Sequence, residues 1–370
     1  MKILIAANTS WNLVHFRGNL IRSMQASGRD VLACAPRDQF TESLVEMGVS
    51  YRDTPMQQRG LGMFRDLCLM FRYFQIIRAE RPEAILTFTI KPNLYLSIAA
   101  GLCRVPVINN ISGLGYSFVS GSILRRLVIV LYRLCLRRSI RVFFQNQQDQ
   151  ALFAELGLVS APQSYLLPGS GVDLSRFQFV PAKDESALKF LFIGRLLAEK
   201  GIQEYLDAAR ALIDQGHIAE FLILGEMPKE ADKKGQLLKQ IQTLGGSVRY
   251  LGVVNDVRSA VAESHCVVLP SYREGAPRSI LEASAMGRPV IVTDVPGCNT
   301  VVKDRVTGFL CKPMDAVDLA EKMKTMISLS HQERTCMGEA GAQLMRDCFD
   351  ERIVIDAYDS AIKECANAND

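Results

Sequence analysis

Short apolar runs recur along the chain, and segments of helical length separate them. Most runs are apolar on both faces and rich in β-branched residues instead of alternating between apolar and polar positions. This pattern is typical of parallel strands that helices cover on both faces. The runs are KILIAA, VLACAP, AILTFT, VPVINN, RVFFQN and SYLLPG in the first half, and LKFLFIGR, EFLILGE, VRYLGV, CVVLPS, PVIVTD and GFLCKP after residue 186.

The alternation of strand and helix predicts an α/β architecture. The pattern restarts after the linker-like stretch FVPAKDESA at 179–187, so we expect two doubly wound, Rossmann-like domains that face a cleft. The spacing of FDERIVIDAYDSAIKE predicts a helix at the end of the chain. Because open α/β sheets bind ligands beyond the carboxyl ends of their strands, the loops after LFIGR, LILGE, YLGV and VLPS are where a site is expected.

Charge is distributed unevenly between the two halves. Residues 1–170 carry 19 Lys and Arg against 10 Asp and Glu, whereas residues 171–370 carry 24 against 29. No acidic residue lies between Glu83 and Asp149, where eight basic residues occur. This distribution indicates that the first domain meets an anionic partner, which leaves nucleic acid, a phosphate-bearing substrate and a membrane surface as alternatives.

Composition narrows the protein class and the compartment. With 48% hydrophobic and 22% charged residues, the chain is a globular protein and not a disordered one. No apolar run approaches the roughly 20 residues that span a bilayer, and the first run is too short for a signal peptide. Ten scattered cysteines without a CxxC pair are typical of reduced thiols in the cytoplasm.

The segment GRLLAEKG, from Gly194 to Gly201, follows one predicted strand and opens a helix. Gly194 allows the backbone to turn closely, and Arg195 and Lys200 place two cations at the N-terminus of that helix. This combination predicts an anion site that suits a diphosphate. The order GxxxxGK[ST] of a Walker loop is absent, and a solvated Arg and Lys at an ordinary helix start is the alternative.

The segment PSYREGAPRSILEASAMGRPVIVTD, at 270–294, places two carboxylates around a helix start. Glu274 lies in the loop after a strand, Pro277 stands where a helix begins, and Glu282 follows within the helix. A carboxylate beside unpaired backbone N–H groups can accept from sugar hydroxyls while those groups donate to sugar or phosphate oxygens. The alternatives are a first-turn acid favoured by the helix dipole for Glu274 and a solvated helix face for Glu282.

These motifs resemble the group-1 retaining glycosyltransferases, which have the GT-B fold. The resemblance covers GR…EKG and EGAPRSILEASAMGRPVI, and extends to PGSGVDLSRF at 168–177 and GFLCKPMDAVDLA at 308–320. In the first half, WNLVHFRGNLI, TIKPN and NNISGLG are similar to the subgroup that extends sugars linked to a lipid diphosphate. The resemblance implies an acceptor domain at 1–175, a donor domain at 176–348 and a last helix at 349–370 that packs back on the first domain.

The resemblance also implies roles for individual residues. Arg195 and Lys200 match the cations that neutralise the donor diphosphate, with Gly194 beside them, and Glu282 matches the acid that grips the ribose. Glu274 matches the acid at the donor sugar, which makes it, Arg195 and Lys200 the expected catalytic residues. The remaining donor contacts implied are the backbone amides of Gly275 and Ala276 and the backbone around Leu251 and Val253, which would recognise the base, usually uracil.

On the acceptor side the chain departs from the family in two places. The loop after the first strand reads ANTSWN instead of Gly-Gly, and the family's cleft histidine is replaced in Thr89-Ile90-Lys91-Pro92-Asn93. Lys91 is a possible substitute cation, and His15 is another candidate for the cleft. The full set of acceptor-side candidates is Asn8, His15, Arg17, Lys91, Asn93 and Gly113.

A basic stripe on the segment 123–141 favours contact with an anionic membrane surface. At helical spacing, Leu124, Val128, Leu131 and Cys135 would face the opposite side from the arginines, which are Arg126, Arg133, Arg137 and Arg141. An ordinary domain-packing helix is the alternative. The segment 60–78 is apolar nearly all round, which favours a buried core helix.

From these motifs and the family resemblance we expect a metal-independent, retaining hexosyltransferase without a cofactor. It would move an N-acetylhexosamine or hexose from a UDP-sugar to a polyprenyl-diphosphate-linked glycan, at the inner face of the bacterial cell membrane, in surface-polysaccharide or glycoprotein assembly. The four histidines show no ligand spacing and no DxD triplet occurs.

Three rivals are weighed against this reading. A dinucleotide-dependent oxidoreductase lacks its GxGxxG, because Phe118 stands at the third position after Gly113-Leu114-Gly115. A nucleotide-sugar epimerase of the same fold would not need the basic stripe. A non-catalytic membrane- or nucleic-acid-binding protein is the third rival, although no nucleic-acid module is present, so we expect no nucleic-acid partner.

Overall fold

The structure, a computed structural model of the chain, describes residues 1–57, 62–113, 122–185, 187–228 and 230–367. Internal contacts divide the chain into two compact units. Unit 1 comprises Met1–Ser170 with Arg352–Asp370, and unit 2 comprises Gly171–Glu351. Each unit is a parallel sheet with helices on its faces, as the strand pattern predicts.

Unit 1 contains a seven-stranded sheet in the order β3-β2-β1-β4-β5-β6-β7, and every neighbouring pair is parallel. Successive side chains of each strand enter different cores. Leu4 contributes to the core on one face, whereas Ile3 and Ile5 contribute to the core on the other. The strands are β1 Lys2–Ala6, β2 Asp30–Ala35, β3 Ser50–Asp53, β4 Ala84–Phe88, β5 Val107–Ile111, β6 Ser139–Phe144 and β7 Ser164–Leu166.

The helices of unit 1 cover both faces of this sheet. Helices α3 to α6 share one core, and α1, α2 and α13 share the other. A π-helical turn, Pro92–Leu96, leads into α4. The helices are α1 Ser10–Ala26, α2 Thr41–Glu46, α3 Met63–Glu80, α4 Ser97–Cys103, α5 Ser122–Leu136, α6 Gln147–Glu155 and α13 Glu351–Asn367.

The last helix, α13, is anchored in unit 1 although it follows unit 2 in the chain. Its Tyr358 is fully buried, and the Tyr358 hydroxyl accepts a 2.8 Å hydrogen bond from Nδ2 of Asn110 on β5. Ion pairs join Asp359 to Arg29 and Glu364 to Arg141. The end of the chain therefore completes the core on the α1 face.

Unit 2 contains a six-stranded parallel sheet in the order β10-β9-β8-β11-β12-β13. Its strands are β8 Leu188–Ile193, β9 Ala219–Leu224, β10 Val248–Gly252, β11 Cys266–Leu269, β12 Val290–Thr293 and β13 Gly308–Cys311. Its helices are α7 Ile202–Asp214, α8 Ala231–Thr243, α9 Arg258–Glu263, α10 Arg278–Ala285, α11 Ala316–Ser328 and α12 His331–Cys348.

All the predicted apolar runs form strands, and β3 is the strand that the pattern does not predict. Its sequence, SYRD, is polar, and it pairs only with β2 at the edge of the sheet. An edge strand with little buried surface needs no apolar run, so periodicity does not reveal it.

The predicted helix at 123–141 is wrong beyond Leu136. Helix α5 ends there, and Arg141 lies in β6, where Ile140 and Val142 alternate with it along a strand. The Arg141 guanidinium donates to both carboxylate oxygens of Glu364 and stacks 3.9 Å from the ring centre of Tyr165. Arg141 is therefore a structural residue of unit 1 and does not belong to the basic stripe.

The expectation of a buried helix at 60–78 is also wrong. Leu69, Tyr73 and Ile77 of α3 are buried, but Phe64, Leu67 and Phe71 are 79%, 55% and 60% exposed. The exposed residues follow the spacing i, i+3, i+7, so they form one apolar stripe on the outer side of α3. Apolarity all round a helix does not by itself distinguish a buried helix from one with an exposed apolar stripe.

We predict that Tyr358→Ala lowers the free energy of unfolding by about 3–5 kcal/mol, because it opens a cavity and leaves the Asn110 amide unpaired. Urea unfolding measures the effect. The matched control on the same helix is Ile353→Ala, whose side chain is exposed and whose loss is expected to cost about 0.5 kcal/mol or less. Equal losses in the two variants would contradict the anchoring of α13 through Tyr358.

Candidate functional site

Four of the predicted donor residues of unit 2, Gly194, Arg195, Lys200 and Glu274, follow the carboxyl ends of β8 and β11. These strands are direct neighbours and parallel, so their carboxyl ends meet at one edge of the sheet. The turn Ala198–Lys200 places Lys200 just before α7, and Glu274 lies in the loop between β11 and α10. The Lys200 ammonium forms an ion pair with Oε1 of Glu274. Residues 74 positions apart are thus brought together at the predicted place.

Two residues that the motifs did not single out orient Glu274. The hydroxyl of Ser271, which is fully buried, donates a 2.6 Å hydrogen bond to the same Oε1. The hydroxyl of Thr293, at the end of β12, donates to the carbonyl oxygen of Ser271. The carboxylate is therefore held by groups that follow three adjacent strands.

Gly297 supports the same loop from behind. Its φ is +83°, and a Cβ atom there would lie 2.2 Å from the carbonyl oxygen of Glu274 and 2.4 Å from that of Gly275. The backbone N–H of Glu274 donates to the carbonyl of Pro296 at 3.2 Å. Only glycine allows both this conformation and this close approach. The Pro-Gly turn after β12 is a sequence signal that could have indicated it.

The main chain at Gly194 and Arg195 is fixed while the Arg195 side chain is exposed. Gly225, with φ of +150°, packs so closely that a Cβ there would lie 1.8 Å from the Gly194 carbonyl oxygen. The described residues offer the Arg195 guanidinium no hydrogen-bond or ion-pair partner. Arg195 therefore adds a solvent-facing cation to the edge at which Lys200 and Glu274 meet.

Glu282 lies apart from the Lys200–Glu274 pair, one turn into α10. Its carboxylate accepts a 2.7 Å hydrogen bond from Nε of Arg278, four residues earlier. Burial raises the pKa of Glu282 above its ordinary value of 4.5, and the Arg278 guanidinium opposes that rise. Glu282 is therefore not on a solvated helix face.

The predicted base contacts lie at the carboxyl end of β10, on the surface. Leu251 and Val253 are exposed, and between them the Gly252 carbonyl accepts from Gly225. Further along this loop, hydrogen bonds from Arg258 lower the pKa of Asp256 to about 2. The Asp256 carboxylate, which no motif indicated, is among the charges that raise the pKa of Glu282.

In unit 1, Asn8, Lys91 and Gly113 follow the carboxyl ends of β1, β4 and β5. Asn93 is buried, and its side chain bonds with Thr87, Asn109 and the Asn110 carbonyl. These contacts give Asn93 a structural role inside the unit, and its role as an acceptor contact stays a prediction. Residues 114–121, which continue the segment NNISGLG, lie outside the described residues.

The two acceptor-side candidates on α1 pack against aromatic rings. His15 stacks on Trp11 with ring centres 5.0 Å apart and meets the edge of Phe40 at 4.9 Å. Arg17 is buried with its guanidinium carbon 4.1 Å above the ring centre of Phe88. Phe88 ends β4, so Arg17 lies close to the carboxyl end of that strand.

Two family models match the chain, and each falls within one unit. The model described as "Glycosyl transferases group 1" matches residues 187–328, and the "Glycosyl transferase 4-like domain" matches residues 15–169. The chain is a glycosyltransferase with a group 1 domain. The resemblance seen in the motifs is thereby confirmed.

The glycosyltransferase has relatives that match most of its length. An N,N'-diacetylbacillosaminyl-diphospho-undecaprenol alpha-1,3-N-acetylgalactosaminyltransferase of Campylobacter jejuni is 25% identical over 97% of this chain and 97% of its own. A UDP-Gal:alpha-D-GlcNAc-diphosphoundecaprenol alpha-1,3-galactosyltransferase of Escherichia coli is 26% identical over 80% of this chain and 82% of its own. The crystal structure of Anabaena HepE in complex with UDP and glucose has a TM-score of 0.81 at 20% identity, covering 98% of this chain and 100% of HepE. This likeness confirms the GT-B fold.

Three arginines of the predicted basic stripe are exposed on the glycosyltransferase's α5. Arg126, Arg133 and Arg137 lie at or just beyond the helix, whereas Val128 and Cys135 are buried as expected. Beside the arginines runs an exposed apolar stripe, in which Leu127, Val130 and Leu134 are 48%, 50% and 62% exposed. The outer side of α5 is therefore both basic and apolar.

Neither a membrane-spanning helix nor a metal-ligand cluster is found in the described part of the glycosyltransferase. The helices there include none that is long and apolar enough to cross a bilayer. Histidine, cysteine, aspartate and glutamate side chains form no group of three or more placed to hold a metal ion within the same ranges.

We predict that Arg278→Met raises the pKa of Glu282 further, because it removes the cation that opposes the effect of burial. Carbon-13 NMR titration of the side-chain carboxyls measures this pKa. With a raised pKa the folded protein binds more protons than the unfolded chain between pH 4.5 and the raised value, so the free energy of unfolding falls as pH rises through that window. Arg249→Met, which breaks the Glu220 ion pair of the same unit, is the control. Titration of Glu282 at its ordinary value in wild type and Arg278→Met would contradict the assignment.

Proposed function

We propose that this glycosyltransferase moves an N-acetylhexosamine or hexose from a UDP-sugar to a polyprenyl-diphosphate-linked glycan, with retention of anomeric configuration, in surface-polysaccharide or glycoprotein assembly. The meeting of Lys200 and Glu274 at the β8–β11 edge, with the exposed Arg195 beside them, carries the proposal. The names of the two relatives support the lipid-linked acceptor. The UDP in the HepE structure supports the nucleotide.

In the proposed reaction, the bond between the anomeric carbon and the diphosphate oxygen breaks as the acceptor hydroxyl bonds to the same carbon. Negative charge develops on the departing UDP, and the Arg195 guanidinium and Lys200 ammonium stabilise it. A phosphate oxygen of the donor takes the proton from the acceptor hydroxyl on the same face of the sugar. The proposal thus assigns to two side chains the neutralisation that a metal ion performs in other enzymes.

The other donor residues are assigned to binding. The Glu274 carboxylate accepts from hydroxyls of the donor sugar, and the backbone N–H groups of Gly275 and Ala276 donate beside it. Glu282 accepts from the ribose hydroxyls, for which its partial burial strengthens each hydrogen bond. The backbone around Leu251 and Val253, exposed at the end of β10, pairs with the base.

We predict that Lys200→Ala and Glu282→Ala each reduce transfer about 10²–10³-fold, because each removes an interaction with the donor. Incorporation of labelled sugar from UDP-sugars into lipid-linked acceptor measures transfer. Lys189→Ala is the matched control, since Lys189 forms an ion pair with Glu185 in the same unit, away from the β8–β11 edge. Near-wild-type transfer by both site variants would contradict the assignment of Lys200 and Glu282 to the donor site.

We further propose that unit 1 docks on the anionic inner face of the cell membrane through the outer sides of α5 and α3. Both helices pack on α4 and share one core, so their exposed apolar stripes belong to the same face of the unit. Apolar residues beside arginines suit the boundary between acyl chains and phosphate headgroups. This docking would bring the enzyme to an acceptor held in the bilayer.

We predict that Arg133→Glu with Arg137→Glu releases the protein from vesicles of anionic lipid, because each basic residue near such a surface contributes about 1 kcal/mol. Co-sedimentation at low salt measures binding. Arg22→Glu with Arg37→Glu is the control, since it makes the same charge change at exposed residues on α1 and in the loop after β2. Unchanged co-sedimentation of the Arg133→Glu, Arg137→Glu variant would contradict membrane docking and would favour a packing role for α5.

A further inference from the structure

One short turn of unit 1, Thr89–Lys91, contains two features that lower the stability of the fold, namely a strained backbone and a buried polar atom without a partner. Thr89 follows β4 with φ of +68°, a conformation that a β-branched residue rarely adopts. Its hydroxyl oxygen is buried, and the described residues offer it no hydrogen-bond partner. A strained residue with an unpaired polar atom is typical of a position that function maintains.

Two residues later, Lys91 is buried and held by a carboxylate from another helix. Its ammonium lies 2.6 Å from Oδ1 of Asp66, and the two side chains are 10% and 6% exposed. The Tyr95 hydroxyl donates to Oδ2 of Asp66 at 3.0 Å, and the Gly62 N–H donates to the same oxygen. Asp66 therefore has three donors around it, whereas in the described part of the chain Asp66 is the one partner of the Lys91 ammonium.

The place of this cluster in the sheet matches that of the Lys200–Glu274 pair. In unit 2 the strand order reverses between β8 and β11, and the donor residues follow those strands. In unit 1 it reverses between β1 and β4, and Thr89 and Lys91 follow β4. Doubly wound sheets bind ligands at such reversal points, beyond the carboxyl ends of the strands.

The balance of charge indicates the class of ligand. An isolated lysine would suit a diphosphate, but here the carboxylate of Asp66 neutralises the ammonium in a buried setting. What remains is a set of hydrogen-bond donors, from the ammonium and the Thr89 hydroxyl, without net charge. Such a set suits the hydroxyl groups of a sugar better than a dianion.

We propose that the Thr89–Lys91 turn binds hydroxyl groups of the acceptor's sugar, with Asp66 and Tyr95 as positioning residues that hold the Lys91 ammonium. This inference rests on the proposed function and deepens it, since it names the chemical groups of the acceptor that the turn contacts and the residues that position Lys91. Asp66 lies in the first turn of α3, so the same helix carries both the exposed apolar stripe and the carboxylate that orients Lys91.

The first experiment measures binding without transfer. α-GlcNAc-diphosphate linked to a short, water-soluble prenol is titrated into wild type, Lys91→Met and Arg29→Gln in the absence of donor. Arg29→Gln is the matched control because it breaks another partly buried ion pair of unit 1, with Asp359. We expect wild type and the control to bind and Lys91→Met to bind about 10- to 100-fold more weakly. Equal binding by wild type and Lys91→Met, or no binding by wild type, would overturn the proposal whether or not transfer occurs.

The second experiment separates a sugar hydroxyl from the diphosphate. kcat/KM is measured for wild type and Lys91→Met with this acceptor, with its single-deoxy analogues and with its monophosphate analogue. For one deoxy analogue, we expect Lys91→Met to have the same kcat/KM as it has with the complete acceptor, because the hydroxyl that Lys91 contacts is absent. With the monophosphate analogue, we expect the substitution still to lower kcat/KM. If Lys91→Met lowered kcat/KM with every deoxy analogue but not with the monophosphate, Lys91 would contact the diphosphate instead, and the proposal would be overturned. Tyr95→Phe is expected to raise KM for the acceptor while kcat and KM for the donor stay unchanged. A partial loss of fold would instead lower kcat and leave both KM values unchanged.

Discussion

Parallel strand pairing is the constraint on which the rest of this structure depends. In each unit every strand points the same way, so all carboxyl ends lie at one edge and every connection must return across a face of the sheet. Residues that are far apart in sequence then meet whenever they follow adjacent strands. Lys200 after β8 and Glu274 after β11 meet in this way, and Ser271 and Thr293 reach the same loop because β12 is the next strand.

The sites are built by departures from stable packing at these edges. Gly225 and Gly297 take positive φ angles so that one loop can lie directly on another. Glu282 is largely buried beside Arg278, and Lys91 is buried beside Asp66. Buried ion pairs contribute little net stability, because desolvation offsets their attraction. Packing alone therefore gives little reason for these two pairs, whereas the proposed contacts with donor and acceptor give one.

The sequence predicted most of the fold because buried parallel strands leave a continuous apolar run. It missed β3, whose SYRD sequence buries little at the edge of the sheet, and it extended α5 through Arg141, which the strand β6 contains. Arginines at i, i+7, i+11 and i+15 satisfy helical spacing, but spacing does not reveal where a helix ends. The exposed stripe of α3 was missed because a nearly uniform apolar sequence has no polar face to mark the outside.

The sequence predicts those residues of the candidate site that lie in recognisable motifs, and it does not predict the others. Lys200, Glu274 and Glu282 stand in recognisable segments, whereas Ser271, Thr293 and Asp66 are ordinary residue types whose importance arises from which strand or helix turn they follow. Asn93 belongs to the segment TIKPN, and motifs did not reveal that its amide also bonds with Thr87 and with the Asn110 carbonyl inside the unit. Partners in three dimensions decide such cases, and a single sequence does not contain them.

The central claim is that unit 2 holds a nucleotide-sugar site at the β8–β11 edge. The most direct measurement is a thermal-shift screen of the whole protein against UDP-, GDP-, ADP- and TDP-linked sugars and the free nucleotides, because a ligand that binds only the folded state raises Tm. The account predicts a rise with UDP and a larger rise with one UDP-sugar. No rise with any of these nucleotides, or a rise with GDP-, ADP- or TDP-sugars in place of UDP-sugars, would contradict it.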